Sequence, residues 1–156
     1  MTATQAKTRG APARAAGGSF GLRLLAVMLG VFFVAMSFTK FAWLTDSGIL
    51  LQRFQQWLPN ATPGVRWYLE TVCIPGAPIF ARLVPLGEFC IGIALIVGFW
   101  TRMAAIAAFV MVLNFHFATS TFWSPAFLRD GTGLPVLGGL LALAMSGSRL
   151  PFSASR

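Results

Sequence analysis

Residues 81–122 read ARLVPLGEFCIGIALIVGFWTRMAAIAAFVMVLNFHFATSTF. Two apolar runs, about 81–101 and 103–122, are separated by little more than Arg102. Each is long enough, as a helix rising 1.5 Å per residue, to cross a hydrocarbon core of about 30 Å. So short a connection folds the two helices into a tight antiparallel hairpin. Within lipid the backbone must satisfy its own hydrogen bonds, so apolar spans of this length are helical and the chain is an integral membrane protein. Composition agrees. Of 156 residues 56% are hydrophobic and only 10% charged, where a soluble domain carries roughly 25% charged residues.

Upstream of the hairpin, residues 20–44 form another apolar run, interrupted only by Arg23 and Lys40. A secretory signal peptide shares its basic start and the small residues around Ala35-Met36-Ser37. The apolar core Leu24–Thr39 is long for one, however, and further spans follow. Residues 45–80 are too polar to span. Asp46-Ser47 has helix-cap chemistry, and Ile49, Leu50, Phe54, Trp57 and Leu58 share one face, which predicts a short amphipathic helix lying in the interface. A second short helix is expected over 65–72, before Pro75 and Pro78. Downstream, residues 132–147 form a short, Gly-rich fourth span that must stand upright, thin the bilayer or begin before Thr132.

The expected architecture is all-α: an integral membrane four-helix bundle over 20–150, with an interfacial helix between the first and second spans. A basic tail over 1–19 holds no apolar period and is expected to be disordered, and residues 151–156 form a short C-terminal tail. Three pairs, Ala94/Gly98, Ala104/Ala108 and Gly138/Ala142, have the small-xxx-small spacing that lets membrane helices approach closely.

Lys+Arg number 12 against 4 Asp+Glu, a formal charge of +8. In a soluble protein that excess would point to nucleic acid. Here the basic residues stand singly between apolar runs, so they indicate topology and contact with anionic lipid, with no nucleic-acid partner. Placing both termini in the cytoplasm puts seven basic residues inside (Lys7, Arg9, Arg14, Arg23, Arg102, Arg149, Arg156) and five outside (Lys40, Arg53, Arg66, Arg82, Arg129). The positive-inside rule favours that orientation, and a bacterial inner membrane is the expected location.

The hairpin also locates candidate chemistry. Glu88 lies 14 residues before Arg102 and His116 lies 14 residues after it, which puts both about 21 Å from the turn at equal helical rise. Lys40, 17 residues beyond Arg23, reaches a similar depth on the first helix, and Asn114 lies one step deeper. A lone intramembrane carboxylate is expensive, so Glu88 either pairs with Lys40 or an arginine, or stays neutral and donates a hydrogen bond. The pair is either a lock between helices or part of a polar pocket for a quinone or small anion. Arg23 and Arg102 are read as structural charges at the opposite boundary. Cys73 and Cys90 form no CxxC, and a single histidine gives no bis-His ligation, so no metal or haem is expected. Phe32, Phe33, Phe99, Trp100, Phe115, Phe117, Phe122 and Trp123 are either walls of a flat quinone slot or lipid-facing girdles.

Taken in order, these charged positions resemble the DoxX/DoxD family of small four-helix membrane proteins. The matching elements are Arg23-Leu-Leu, Lys40, Gly87-Glu88-Phe-Cys-Ile-Gly92, Leu95-Ile-Val-Gly98-Phe-Trp-Thr101-Arg102 and Met111-Val-Leu-Asn114-Phe. The long segment ending in Ile74-Pro75 and Phe80-Ala81 resembles the DoxD branch. That resemblance implies the membrane subunit of a thiosulfate:quinone oxidoreductase, which couples two thiosulfates to tetrathionate, reduces a membrane quinone and works with a second subunit. It implies that Lys40, Arg82 and Arg66 draw the anion, while Glu88, Asn114 and His116 bind quinone and relay protons. The alternative is a non-catalytic accessory or scaffold subunit of a larger membrane bioenergetic complex. A transporter would need a water-filled path, which such apolar spans argue against.

Overall fold

The computed structural model describes residues 13–146, and all regular structure among them is helical. The helices are α1 (Ala13–Phe38), α2 (Ala42–Thr45), α3 (Gly48–Trp57), α4 (Pro63–Tyr68), α5 (Ala77–Val97), α6 (Thr101–Ala118), α7 (Ala126–Arg129) and α8 (Leu134–Met145), with short 3-10 and π turns between them. Three are long and apolar enough to cross a membrane: Phe20–Phe38 within α1, α5 and α6. α8 is a shorter apolar helix of 12 residues, about 18 Å in length.

Several boundaries differ from the sequence expectation, each for a local reason. α1 begins at Ala13, so residues 13–19, expected in the tail, are helical; residues 1–12 and 147–156 lie outside the described residues. At its far end α1 stops at Phe38 rather than continuing to Leu44. The hydroxyls of Ser37 and Thr39 donate back to Val34 O and Met36 O, and the next backbone bonds, Lys40 N to Ser37 O and Phe41 N to Phe38 O, are turn bonds. α5 starts four residues before the expected span, with Pro78 in its first turn, where a missing N–H costs nothing. It ends because Gly98 takes a left-handed conformation (φ 77°), and the N–H groups of Gly98 and Phe99 both donate to Ala94 O at 2.9 Å. Gly98, Phe99 and Trp100 then make the tight hairpin turn into α6.

α1 and α5 run antiparallel in close contact. A Cβ on Gly30 would meet Gly92 O at 2.7 Å, and one on Gly92 would meet Gly30 O at 2.8 Å, so the two backbones touch at this crossing. α8 packs on α6 around Ala104, Ala105, Ala108, Leu140 and Leu143, which share one apolar core with Ala26, Leu29, Phe33 and Leu95. Of the anticipated small-residue pairs, Ala104/Ala108 is buried at this contact, whereas Gly138 faces open space.

The segment between α1 and α5 forms a second core. α3 presents the expected apolar face, but Leu50 and Phe54 are buried against protein: Trp43, Val65, Leu69 and Cys73, together with Ala77, Ala81 and Ala118 at the ends of α5 and α6. The segment is thus a folded cap over one end of the long helices. α4 continues through a π turn, Leu69–Cys73, which takes up the offset before α5 begins.

Candidate functional site

Beneath that cap, α1 and the turn after it, α5, α6 and the α7–α8 loop surround a cavity of about 100 Å³. Phe32, Phe33, Met36, Val84, Met111, Val112 and Phe115 give it apolar walls, and Lys40, Glu88, Asn114, His116 and Thr132 give it a polar side. The turn after α1 decides the chemistry. It carries Lys40 to α5, where Nζ donates to Glu88 Oε1 and Oε2, both at 2.7 Å, and to Met36 O at 3.4 Å. Both residues are buried, at 6% and 8% exposure. All three ammonium hydrogens therefore have acceptors, and both carboxylate oxygens are neutralised, as a buried ion pair requires.

His116 sits on the last turn of α6 and is 2% exposed. Its Nε2 lies 3.2 Å from the carbonyl of Thr132, and since a carbonyl only accepts, Nε2 carries the proton of that bond. Nδ1 faces the hydroxyl of Thr121 at 3.3 Å and Asp130 Oδ2 at 4.0 Å. Asp130 is fixed in turn: Oδ1 accepts from the hydroxyl and the N–H of Thr132, at 2.7 and 2.9 Å. Those two bonds hold the Asp130 carboxyl below the usual carboxylate range, with a smaller contribution from His116.

Asn114 Oδ1 accepts a 2.7 Å hydrogen bond from the phenol of Tyr68 on α4. This bond ties the cap to α6 at the point where the cavity adjoins a second, smaller one of about 50 Å³; Asn114, Phe115 and Val84 line both. Burial pushes the Tyr68 phenol up, and it pushes the Cys73 thiol up as well. Cys73 is buried and stays a thiol, so it is a poor nucleophile. Cys90 is exposed on the outer face of α5.

The structure thus brings Lys40, Glu88, Asn114 and His116 to one cavity. It does not bring Arg82 there. Arg82 is exposed on another face of α5 and donates to Pro78 O on its own helix at 2.7 Å. Six residues separate it from Glu88, which on a helix is a rotation of about 240°, so that displacement was readable in advance. Arg66 is also exposed and donates to Leu58 O within the cap. Arg23 donates to Leu95 O and Ile96 O at the C-terminal end of α5, and Arg102 is exposed at the start of α6. Of the aromatic candidates, Phe32, Phe33 and Phe115 line the cavity, whereas Phe99 and Trp100 stack on each other at the opposite end of the molecule. Tyr68, Thr121, Asp130 and Thr132 were not anticipated. The Asp-Gly-Thr-Gly run at 130–133 signals a turn, but nothing in it announces a partner on α6.

The DoxX family model matches residues 21–121, a stretch that covers α1 from Gly21 onward, the cap, α5 and α6. The chain belongs to the DoxX family. With three helices suited to crossing a bilayer and a fourth shorter apolar one, this DoxX protein is a multi-pass membrane protein. No curated protein and no solved structure matches the chain.

Proposed function

We propose that this DoxX protein is the membrane subunit of a quinone-linked oxidoreductase of the DoxD kind, acting on thiosulfate or a similar small sulfur anion. In this reading the helices form a four-span bundle over 20–150 in a bacterial inner membrane, with both termini cytoplasmic and the cap outside. The single observation that carries the proposal is the cavity, which sets a buried Lys40–Glu88 pair and a buried histidine against apolar and aromatic walls. Its size, about 100 Å³, falls below the roughly 150 Å³ of an apolar cavity that accepts benzene. Met36 and Met111 are unbranched wall residues able to rearrange around a substituted ring. Phe32, Phe33 and Phe115 would supply the aromatic walls for such a ring, and Lys40 and His116 the polar groups able to bond its oxygens.

A bound quinone supplies an acceptor for two electrons and two protons; the electrons come from joining two thiosulfates into tetrathionate. The protein's part is the protons. Glu88 and His116 are groups of the right type at the cavity wall, and Lys40 supplies positive charge where negative charge develops. In this reading the exposed Arg82 and Arg66 draw the anion to the outer face, toward Lys40. A second protein subunit completes the enzyme.

One observation favours a second reading. Every donor of Lys40 is already used, on the two Glu88 oxygens and on Met36 O, as expected of a lock in an accessory subunit that organises a larger membrane complex. A single experiment separates the two. Purified protein, with and without the products of neighbouring genes, is assayed for thiosulfate-dependent reduction of a short-chain ubiquinone analogue. The enzyme reading expects activity that falls about 10²-fold or more in Glu88→Gln. Absence of activity in every combination, with co-purification in a larger assembly, would establish the accessory reading instead.

A further inference from the structure

His116 is the chain's one histidine, yet the Lys40–Glu88 pair is complete without it. Its ring stands between two environments. One side lines the cavity, and the other meets Thr121 and Asp130 in the loops at the cap end of the molecule. Asp130 keeps about a third of its side chain exposed, whereas the imidazole is closed off. Oδ1 of the carboxylate is committed to Thr132, which leaves Oδ2 facing Nδ1 at 4.0 Å, one bridging water or a small side-chain adjustment from a hydrogen bond. Thr132 belongs to both ends of the arrangement: its carbonyl accepts from Nε2, its hydroxyl and N–H hold Asp130, and it lines the cavity.

We infer that Asp130 and His116 form a proton path between the cavity and the water at the cap end, with Asp130 as the entrance and His116 as the gate. A proton taken from water by the carboxylate passes to Nδ1 as Oδ2 closes the 4.0 Å gap, while Nε2 gives up the proton it shares with the Thr132 carbonyl to a base held in the cavity, the reduced quinone in the proposed reading. One N–H bond forms and one breaks. The ring is left neutral with its proton on Nδ1; a turn about Cβ–Cγ then carries that N–H toward the cavity side and brings bare Nε2 toward the Asp130 side, ready for the next proton. The charged groups that share the cavity with the ring are Lys40, from the turn after α1, and Glu88, from α5; Asp130 is the one from the α7–α8 loop. Asp130 Oδ2, 4.0 Å from Nδ1, is the charge placed against the ring itself. The inference deepens the quinone reading, since protons consumed at the cavity need a route, but the path itself does not depend on which ligand the cavity holds.

The test exploits the solitary histidine. Protein carrying ¹⁵N-histidine is placed in lipid nanodiscs, and the exchange of the imidazole proton with water is measured by NMR magnetisation transfer. Asp130→Asn retains an oxygen that can accept from Thr132 but cannot carry a proton, so the turn survives. Exchange is expected to slow about 10²-fold in this variant with the melting temperature nearly unchanged. Unchanged exchange in Asp130→Asn would overturn the path. If Asp130→Asn does not fold, the wild type answers alone: in liposomes with pH changed on one side, His116 protonation must follow the cap side, and following the opposite side overturns the inference. Slowed exchange without thiosulfate-dependent quinone reduction would leave the path standing and remove the proposed enzyme.

Discussion

α1 is fastened to α5 at both ends by a basic residue, and the two fastenings differ in kind. Near the hairpin turn, half-buried Arg23 donates to the carbonyls of Leu95 and Ile96, the last groups of α5 that lack partners within the helix. That contact uses backbone that any helix end provides, and it sets a positive charge at the negative end of the dipole. Near the cap, Lys40 meets a carboxylate that the helix had no structural need to bury, beside a cavity. A cation at a helix end is sufficiently explained by folding. A buried acid beside a cavity is not, because well-packed apolar side chains would hold the same helices at no greater cost. The cap end is therefore the one of the two whose residues folding alone does not explain.

The largest effect is expected at the pair. Glu88→Leu strands the Lys40 ammonium in an apolar site, at a cost of about 3–5 kcal/mol. The double variant Lys40→Met/Glu88→Leu should recover most of that stability, measured as the melting temperature in detergent. Recovery of stability without recovery of quinone reduction marks the pair as functional. If Glu88→Leu alone melts like the wild type, the pair is not buried as described and the contrast between the two ends collapses.

Next comes the crossing between the two fastenings. At Gly92 a Cβ would meet Val34 Cγ2 at 2.7 Å and Gly30 O at 2.8 Å. The backbone oxygen cannot retreat unless α1 moves, so Gly92→Ala should cost about 1–3 kcal/mol. Because the displaced helix leads directly into the turn that holds Lys40, this variant should also weaken the Lys40–Glu88 contact. At the other end, Arg23→Met removes two hydrogen bonds but leaves carbonyls at a helix terminus, and a loss of about 1 kcal/mol is expected. An Arg23→Met loss as large as that of Glu88→Leu would erase the distinction between the ends.

Much of this arrangement was legible in the residues because it depends on helical rise. Equal spacing of Glu88 and His116 about Arg102 fixes their depth, and the structure puts both on one cavity with Lys40 and Asn114. What depends on helix rotation and on loops was less legible. Gly30 and Gly92 touch only because particular faces of α1 and α5 meet, whereas the spacing rule drew attention to Gly138, which faces open space. Arg82 shares a helix with Glu88 but not a face. The interfacial helix was recognised by its apolar stripe, but no pattern in the stripe says whether lipid or protein will cover it. Asp130 reaches His116 through a loop whose path no periodicity encodes.

The smallest effect concerns that loop and acts through pH. The Thr132 bonds depress the folded Asp130 pKa. The carboxylate's contribution is therefore complete above its unfolded value of about 3.9 and disappears as pH falls through the lower folded value. Asp130→Asn holds the same turn with a neutral acceptor and has no such dependence. The melting temperature of the wild type minus that of the variant should therefore be slightly positive at pH 7 and shrink toward zero as the pH is lowered below about 4. Solvent exposure of Asp130 keeps the difference small. The sign still carries the argument: a difference that grows with acid would mean the folded protein prefers Asp130 protonated, and a carboxyl already holding its proton could not accept one from water at the entrance to His116.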